Sequence, residues 1–283
     1  MSTTHRIPGV LFRTDPNTAE VPLVFDSPHS GTDYPEDFDH TCPRHVLRTA
    51  EDTYVDELYA AASTHGATLI GALFPRSYID ANRHVADMDH ALLAEPWPHP
   101  LNLGAKTKLG MGLIRRLAVP KVPVYSRKLG VAEVQARIDK YYHAYHAELA
   151  GAADRLHARF GGVWHVNCHS MKSVSNGMAA EGPGVPRADF VLGDRDGTTC
   201  AGELTNFVQQ FLTQRGYDVR INDPYKGVEL VRRHGRPEEN RHSLQIEVNR
   251  KLYMDEKSFE RNENFPRLKA DLDALVAALV GFV

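Results

Sequence analysis

The stretch Val163-Trp164-His165-Val166-Asn167-Cys168-His169-Ser170 constrains the fold more than any other. Val163, Trp164, Val166 and Cys168 give it an apolar, β-prone body, and Gly161-Gly162 interrupts the chain just before it. This is the pattern of a buried strand in an α/β sheet. Its polar end, His169-Ser170, falls where such sheets carry their sites. Val21-Pro22-Leu23-Val24-Phe25-Asp26 repeats the pattern, with Ser27-Pro28-His29-Ser30-Gly31 directly behind it. Two strands therefore each run out into His-Ser, and the two imidazoles are expected to converge on one metal.

Further strands are expected over 67–74, 77–83, 188–193, 217–222 and 243–250. Helical spacing of apolar residues predicts helices from 43 or 44 to 61 and over 133–159, 199–211 and 259–283. Strands and helices alternate without a repeat, which predicts one α/β domain, 1–283, with a central mixed sheet and helices on both faces, a three-layer arrangement. Segment 84–130 is broken repeatedly by Pro and Gly and reads as a loop-rich lid or rim. Lys106, Lys108, Arg115, Arg116, Arg127 and Lys128 make it basic, to hold an acidic substrate or as a solvated surface.

Several classes of function are set aside by composition. The net charge is -3 over 283 residues, with no basic block, so no nucleic-acid partner is expected. No apolar run approaches the ~20 residues of a membrane span, and the N-terminus lacks the apolar region of a signal peptide. Cys42, Cys168 and Cys200 are few and widely spaced. They predict a reducing, cytoplasmic setting rather than a disulfide framework.

Charged residues inside otherwise apolar patterns mark the candidate chemistry. Asp52 and Asp56 are four apart, on one face of the predicted helix. They form either a solvated acidic face or a metal ligand with a supporting carboxylate. Asp80, Asn82 and Arg83 lie at the polar end of a predicted strand. Arg83 offers a planar fork suited to a carboxylate, unless it pairs internally with Asp80. In the last strand Leu244, Ile246 and Val248 face one way and Gln245, Glu247 and Asn249 the other. Glu247 is costly there unless it meets a polar cavity, a cation, or an arginine such as Arg250 or Arg241. A catalytic zinc takes three protein ligands and leaves a position for water. His29, Asp52 and His169 would be such a set, with Glu247 as general base and Asn82 and Arg83 anchoring a carboxylate. Together these parts describe hydrolysis of an amide beside a carboxylate-bearing group.

Six phrases carry a resemblance: Ser27-Pro28-His29-Ser30-Gly31, Asp52-Thr53-Tyr54-Val55-Asp56-Glu57-Leu58-Tyr59, Asp80-Ala81-Asn82-Arg83, Asn167-Cys168-His169-Ser170, Asn222-Asp223-Pro224-Tyr225-Lys226-Gly227 and Gln245-Ile246-Glu247-Val248-Asn249-Arg250. In this order they resemble the N-formylglutamate amidohydrolase family, from about Val21 to Asp255. The resemblance implies a zinc-dependent deformylase that turns N-formyl-L-glutamate into formate and L-glutamate, a step that ends histidine degradation in some bacteria. It also implies a fold similar to the zinc carboxypeptidases (phosphorylase/hydrolase-like). In that wider group an Asn-Arg pair binds the substrate carboxylate and a strand-borne glutamate activates water, roles that Asn82-Arg83 and Glu247 match.

One departure stands out. The carboxypeptidases supply two ligands as His-x-x-Glu, and the residue three after His29 is Thr32. The carboxylate ligand is assigned to Asp52, with Asp56 and Glu51 as rivals. By the same resemblance Tyr225, Lys226 and Gly227 lie at the substrate rim. Arg127 and Arg250 are candidates for the second carboxylate of a glutamyl group. Three competing readings remain: a hydrolase of another N-acyl amino acid (acetyl, succinyl or formimino), a thiol hydrolase using Cys168, and a non-catalytic metal- or ligand-binding relative.

Overall fold

A computed structural model describes residues 3–283. The described residues form ten strands: β1 Thr4–Ile7, β2 Leu11–Thr14, β3 Leu23–Ser27, β4 Thr68–Ala72, β5 Leu117–Val119, β6 Val122–Pro123, β7 Val163–Met171, β8 Phe190–Gly193, β9 Val219–Ile221 and β10 Arg241–Asn249. The helices are α1 Arg44–Leu47, α2 Val55–Leu58, α3 Ala105–Lys108, α4 Val131–Arg137, α5 His143–Phe160, α6 Gly202–Gln214, α7 Glu229–His234 and α8 Phe265–Phe282. Apart from the β5–β6 ribbon, the strands form one sheet in the order β1-β2-β4-β3-β7-β10-β8-β9. The central four, β4-β3-β7-β10, are parallel, and β2 and β8 flank them antiparallel.

The central strands are buried on both faces, as parallel strands usually are. Val24 and Ile70 join one core cluster with Tyr145, Leu149, Ala152 and Leu156 of α5. Phe25, Val166 and Ile246 join the other with Leu268, Leu272, Leu275 and Leu279 of α8. The apolar stripes of α5 and α8 thus cover opposite faces, and the expected three-layer α/β domain with a mixed sheet results. The chain leaves β3 toward β4 on one side, whereas after β7 it continues through β8, β9 and β10 on the other. This reversal of direction between β3 and β7 opens the crevice in which α/β sheets bind ligands.

Three expectations fail. The helix expected up to residue 61 is broken. A 3₁₀ turn covers Arg48–Ala50, Glu51 is extended (ψ 146°) and Tyr54 is left-handed (φ 68°). Leu47 packs in the α5-side core, but Val55 and Leu58 pack in the α8-side core. No straight helix serves both faces, so the chain crosses the end of the sheet between them, and Asp52 and Asp56 do not share a helical face. Segment 77–83 is turn rather than strand, because the Asp80 carboxylate and carbonyl take the N–H groups of Asn82 and Arg83. The β1–β2 hairpin was not expected. Its Thr4–Ile7 strand is exposed throughout and shows no apolar alternation. The final helix also begins at Phe265, later than its apolar pattern suggests.

Candidate metal centre and substrate cavity

The site grows from the ends of β3, β7 and β10. His29 follows β3 on a loop pinned by Gly31, where a Cβ would sit 2.5 Å from the Leu73 carbonyl oxygen, so only glycine fits. Ser30 ties that loop to the broken helical segment. Its hydroxyl donates to the Asp52 carbonyl (3.0 Å) and accepts the Asp56 N–H (3.2 Å). The Asp52 N–H in turn donates to the His29 carbonyl (2.9 Å). His169 lies on β7 directly across from Glu247 on β10.

His29, Asp52 and His169 converge, each at most 2% exposed. The Nδ1 atoms of the two histidines are 3.1 Å apart, and Asp52 Oδ2 lies 2.9 Å from that of His169 and 3.4 Å from that of His29. The outer ring nitrogens are already engaged. His29 Nε2 donates to Asp80 Oδ1 (2.7 Å), and His169 Nε2 donates to Asn167 Oδ1 (2.8 Å), the shorter of its contacts; the Asn82 amide nitrogen lies 3.0 Å away. Protons on both Nε2 atoms leave lone pairs on both Nδ1 atoms. Two nitrogen lone pairs and a carboxylate oxygen then face one another with no hydrogen among them. Such a surplus of acceptors fits a metal ion, and partnered outer nitrogens are the usual second layer of a metal site. The ligating atoms lie within 4.8 Å of one another, so the set could hold a metal.

Arginines steady the carboxylates. Arg250 donates to Asp52 Oδ1 (3.0 Å), Ser170 Oγ (3.0 Å) and the Thr49 carbonyl (2.9 Å). The Asp80 carboxyl is held well below its ordinary range against its burial, by Arg76 and His29. Arg76 reaches Asp80 Oδ2 at 2.7 Å. Glu247 differs. It accepts one bond, from the Gln245 amide (3.0 Å), and burial pushes its carboxyl above the ordinary range. A buried carboxylate with spare lone pairs beside a cation site is equipped to take a proton.

These groups open onto a cavity of about 390 Å³. Its wall holds eight cationic side chains, Arg76, Arg83, Lys106, Arg115, Lys172, Arg187, Lys226 and Arg250, against the single carboxylate of Glu247. Such an imbalance favours an anionic ligand. Gly193, behind the wall, lets the 225–227 segment approach closely: a Cβ there would meet the backbone of Lys226 and Gly227.

The structure brings most expected residues to this cavity. His29, Asn82, Arg83, His169, Tyr225, Lys226, Glu247 and Arg250 line it, with Asp52 behind the histidines. Asn82 is locked by the Leu230 N–H (2.9 Å). Arg83 bonds only to the carbonyls of Met111 and Asn82, both at 3.1 Å. Tyr225 carries the Arg187 guanidinium over its ring (5.2 Å). Lys226 is spent on Asp196 (2.9 Å). Arg250 is occupied by Asp52, so it holds that carboxylate rather than offering a free fork.

Arg127 is a correction: it lies outside the cavity, in ion pairs with Asp39 (2.6 Å) and Glu133 (2.9 Å). Those acids neutralise it before any substrate arrives. The two other candidate carboxylates, Glu51 and Asp56, are not part of the convergent trio. Glu51 accepts from Tyr34 (2.6 Å) and Arg48. Cys168 alternates away from His169 into the α8-side core, where burial pushes its thiol well up. That position gives no support to a thiol nucleophile. Sequence reasoning missed Asp80 as the partner of His29, Arg76 as the partner of Asp80, Asn167 as the partner of His169, and the wall cations Lys106, Arg115, Lys172 and Arg187. The basic bias of 84–130 pointed only to Lys106 and Arg115.

The family model described as N-formylglutamate amidohydrolase matches residues 21–254. A solved structure of N-formylglutamate amidohydrolase from Ralstonia eutropha JMP134 is 49% identical, with a TM-score of 0.94 over 97% of this chain and 98% of that one. N-formylglutamate deformylase of Pseudomonas putida is 27% identical over 269 residues, covering 91% of this chain and 93% of the relative. The corresponding enzyme of Pseudomonas aeruginosa is 29% identical over 241 residues, 84% of each chain. No helix of the described residues is long and apolar enough to cross a membrane.

Proposed function

The chain belongs to the N-formylglutamate amidohydrolase family, and from that premise we propose that it hydrolyses N-formyl-L-glutamate to formate and L-glutamate with zinc at His29, Asp52 and His169. The observation that carries this reading is the proton-free convergence of three acceptors beside an under-bonded Glu247, at the wall of a cationic cavity. When bound, zinc supplies a Lewis acid that acidifies water and polarises a carbonyl oxygen. The residues of the chain do the rest. Glu247 takes the proton from the attacking water and passes it to the amide nitrogen as the C–N bond breaks, so that formate and the free amine leave. Asn82 and Arg83 hold a substrate carboxylate, Tyr225 and Lys226 stand at the rim, and Arg250 keeps Asp52 ionised and oriented. In bacteria that use it, this reaction closes histidine degradation, and a cytoplasmic location agrees with three free, buried cysteines.

Formate release from N-formyl-L-glutamate by purified protein tests the proposal, with a chelator and with zinc added back. Release that the chelator abolishes and zinc restores is the expected result. Full release in chelator discards the metal, and no release with zinc bound discards the substrate.

A further inference from the structure

Arg115 is the anomaly of the cavity wall. It is 6% exposed. Among the described residues its Nε has no hydrogen-bond partner. The other arginines facing the cavity have answers within the protein: Arg76 has Asp80, Arg187 has Glu181 and Arg250 has Asp52. Arg83 has two carbonyls but no carboxylate. Arg115 has neither, and its neighbours make matters worse. Burial, then the charges of Arg76 and Arg83, press its guanidinium down to about 9, with Asp80 and Asp52 only partly offsetting them.

A buried, unpaired cation is costly unless something answers it. The fold nevertheless fixes this one rigidly. Leu113 and Ile114 beside it are fully buried, and Leu113 bonds by its backbone to Asp87 and Asp80. Met111 and Arg115 close a small antiparallel bridge that aims the loop inward. A cation held without a partner at a cavity wall is preorganised for an anion from outside.

We propose that Arg115 binds the side-chain carboxylate of the substrate while Arg83 takes its main-chain carboxylate, so that Arg115 makes the site selective for dianionic N-acyl amino acids. This rests on the reading of the cavity as a site for an N-acylated amino acid. It replaces Arg127 and Arg250 as the partner of the second carboxylate. A planar fork reads a carboxylate through two parallel bonds, which a lysine cannot reproduce.

The test uses zinc-loaded protein and ligands differing by one charge: L-glutamate and L-glutamine for calorimetric binding, and their N-formyl derivatives for turnover. In Arg115→Met, the preference for glutamate over glutamine is expected to fall about 100-fold, in binding and in kcat/KM, as for the loss of one partner of a buried charge pair. If Arg115→Met does not fold by thermal melt, Arg115→Lys decides, with a loss of preference of about 10-fold expected. An unchanged preference, or equal loss for both ligands, overturns the assignment. Should the wild type release no formate at all, the proposed reaction fails, and the binding ratio still decides the role of Arg115.

Discussion

Two clusters of histidine and aspartate lie one behind the other at the ends of β3 and β7. At the sheet edge stand His29, Asp52 and His169. One step back along β3 and β7 stand Asp26 and His165, joined by Ser243 of β10. The inner cluster has the connectivity of a Ser-His-Asp triad: Ser243 Oγ lies 2.7 Å from His165 Nδ1, and His165 Nε2 donates to Asp26 Oδ1 (2.8 Å). Yet every proton there meets an acceptor. Asp26 also receives Tyr145 (2.7 Å) and the Asn167 amide (2.7 Å), and all three triad members are at most 1% exposed. The outer cluster has acceptors to spare and opens on a cavity. Residue types do not separate a structural cluster from a reactive one; the balance of donors against acceptors, and access, do.

The sharpest way to break this comparison is to remove an outer acceptor. Asp52→Ala should weaken zinc binding more than about 100-fold, beyond the usual cost of losing an outer-layer partner, and abolish formate release. Metal content after dialysis checks it, and retained zinc would show that the trio is not the metal site. Glu247→Gln should keep the metal and lower kcat by about 10²–10⁴. Single-turnover formate release measures this, and wild-type rates would remove Glu247 as the base.

The inner cluster should respond in stability instead. Asp26→Ala orphans three buried donors and should cost on the order of 3 kcal/mol or more. The pH dependence gives a second handle. Burial opposes ionisation of Asp26, but His165, Tyr145 and Asn167 together hold its folded carboxyl below the ordinary range. Its contribution is therefore fully present above the unfolded pKa of about 3.9 and is lost as pH falls through the folded one. Calorimetric melts from pH 6 to pH 3 should show a shallower acid loss in Asp26→Asn than in the wild type. Equal slopes would remove Asp26 from the acid limb. The smallest effect is expected from Ser243→Ala: about 1 kcal/mol of stability for one hydrogen bond, with formate release intact. Loss of turnover with an intact melt would make the inner cluster catalytic.

Much of this site is legible in the chain because the parallel strands carry it. A strand's polar end is visible where apolar residues stop, so His29 and His169 stand out. A period of two makes Glu247 conspicuous among Leu244, Ile246 and Val248. Asp52 is a different case. Its residue type and position marked it, but the helix invoked to place it does not exist. Apolar spacing alone does not reveal that Leu47 and Val55 serve opposite faces of the sheet.

The cations show the limit most plainly. Arg115 and Arg127 are alike in sequence, two arginines in one basic, loop-rich segment. One is buried without a partner at the cavity wall, and the other is exposed and neutralised by Asp39 and Glu133. Alternation along the chain determined the sheet, its layers and the residues at its edge, because those depend on local period and on burial. Which charge is answered, by whom, and which is left for a ligand was decided only by the tertiary structure. The partners come from segments far apart in sequence, and a charge acts through whatever lies within a few ångströms of it.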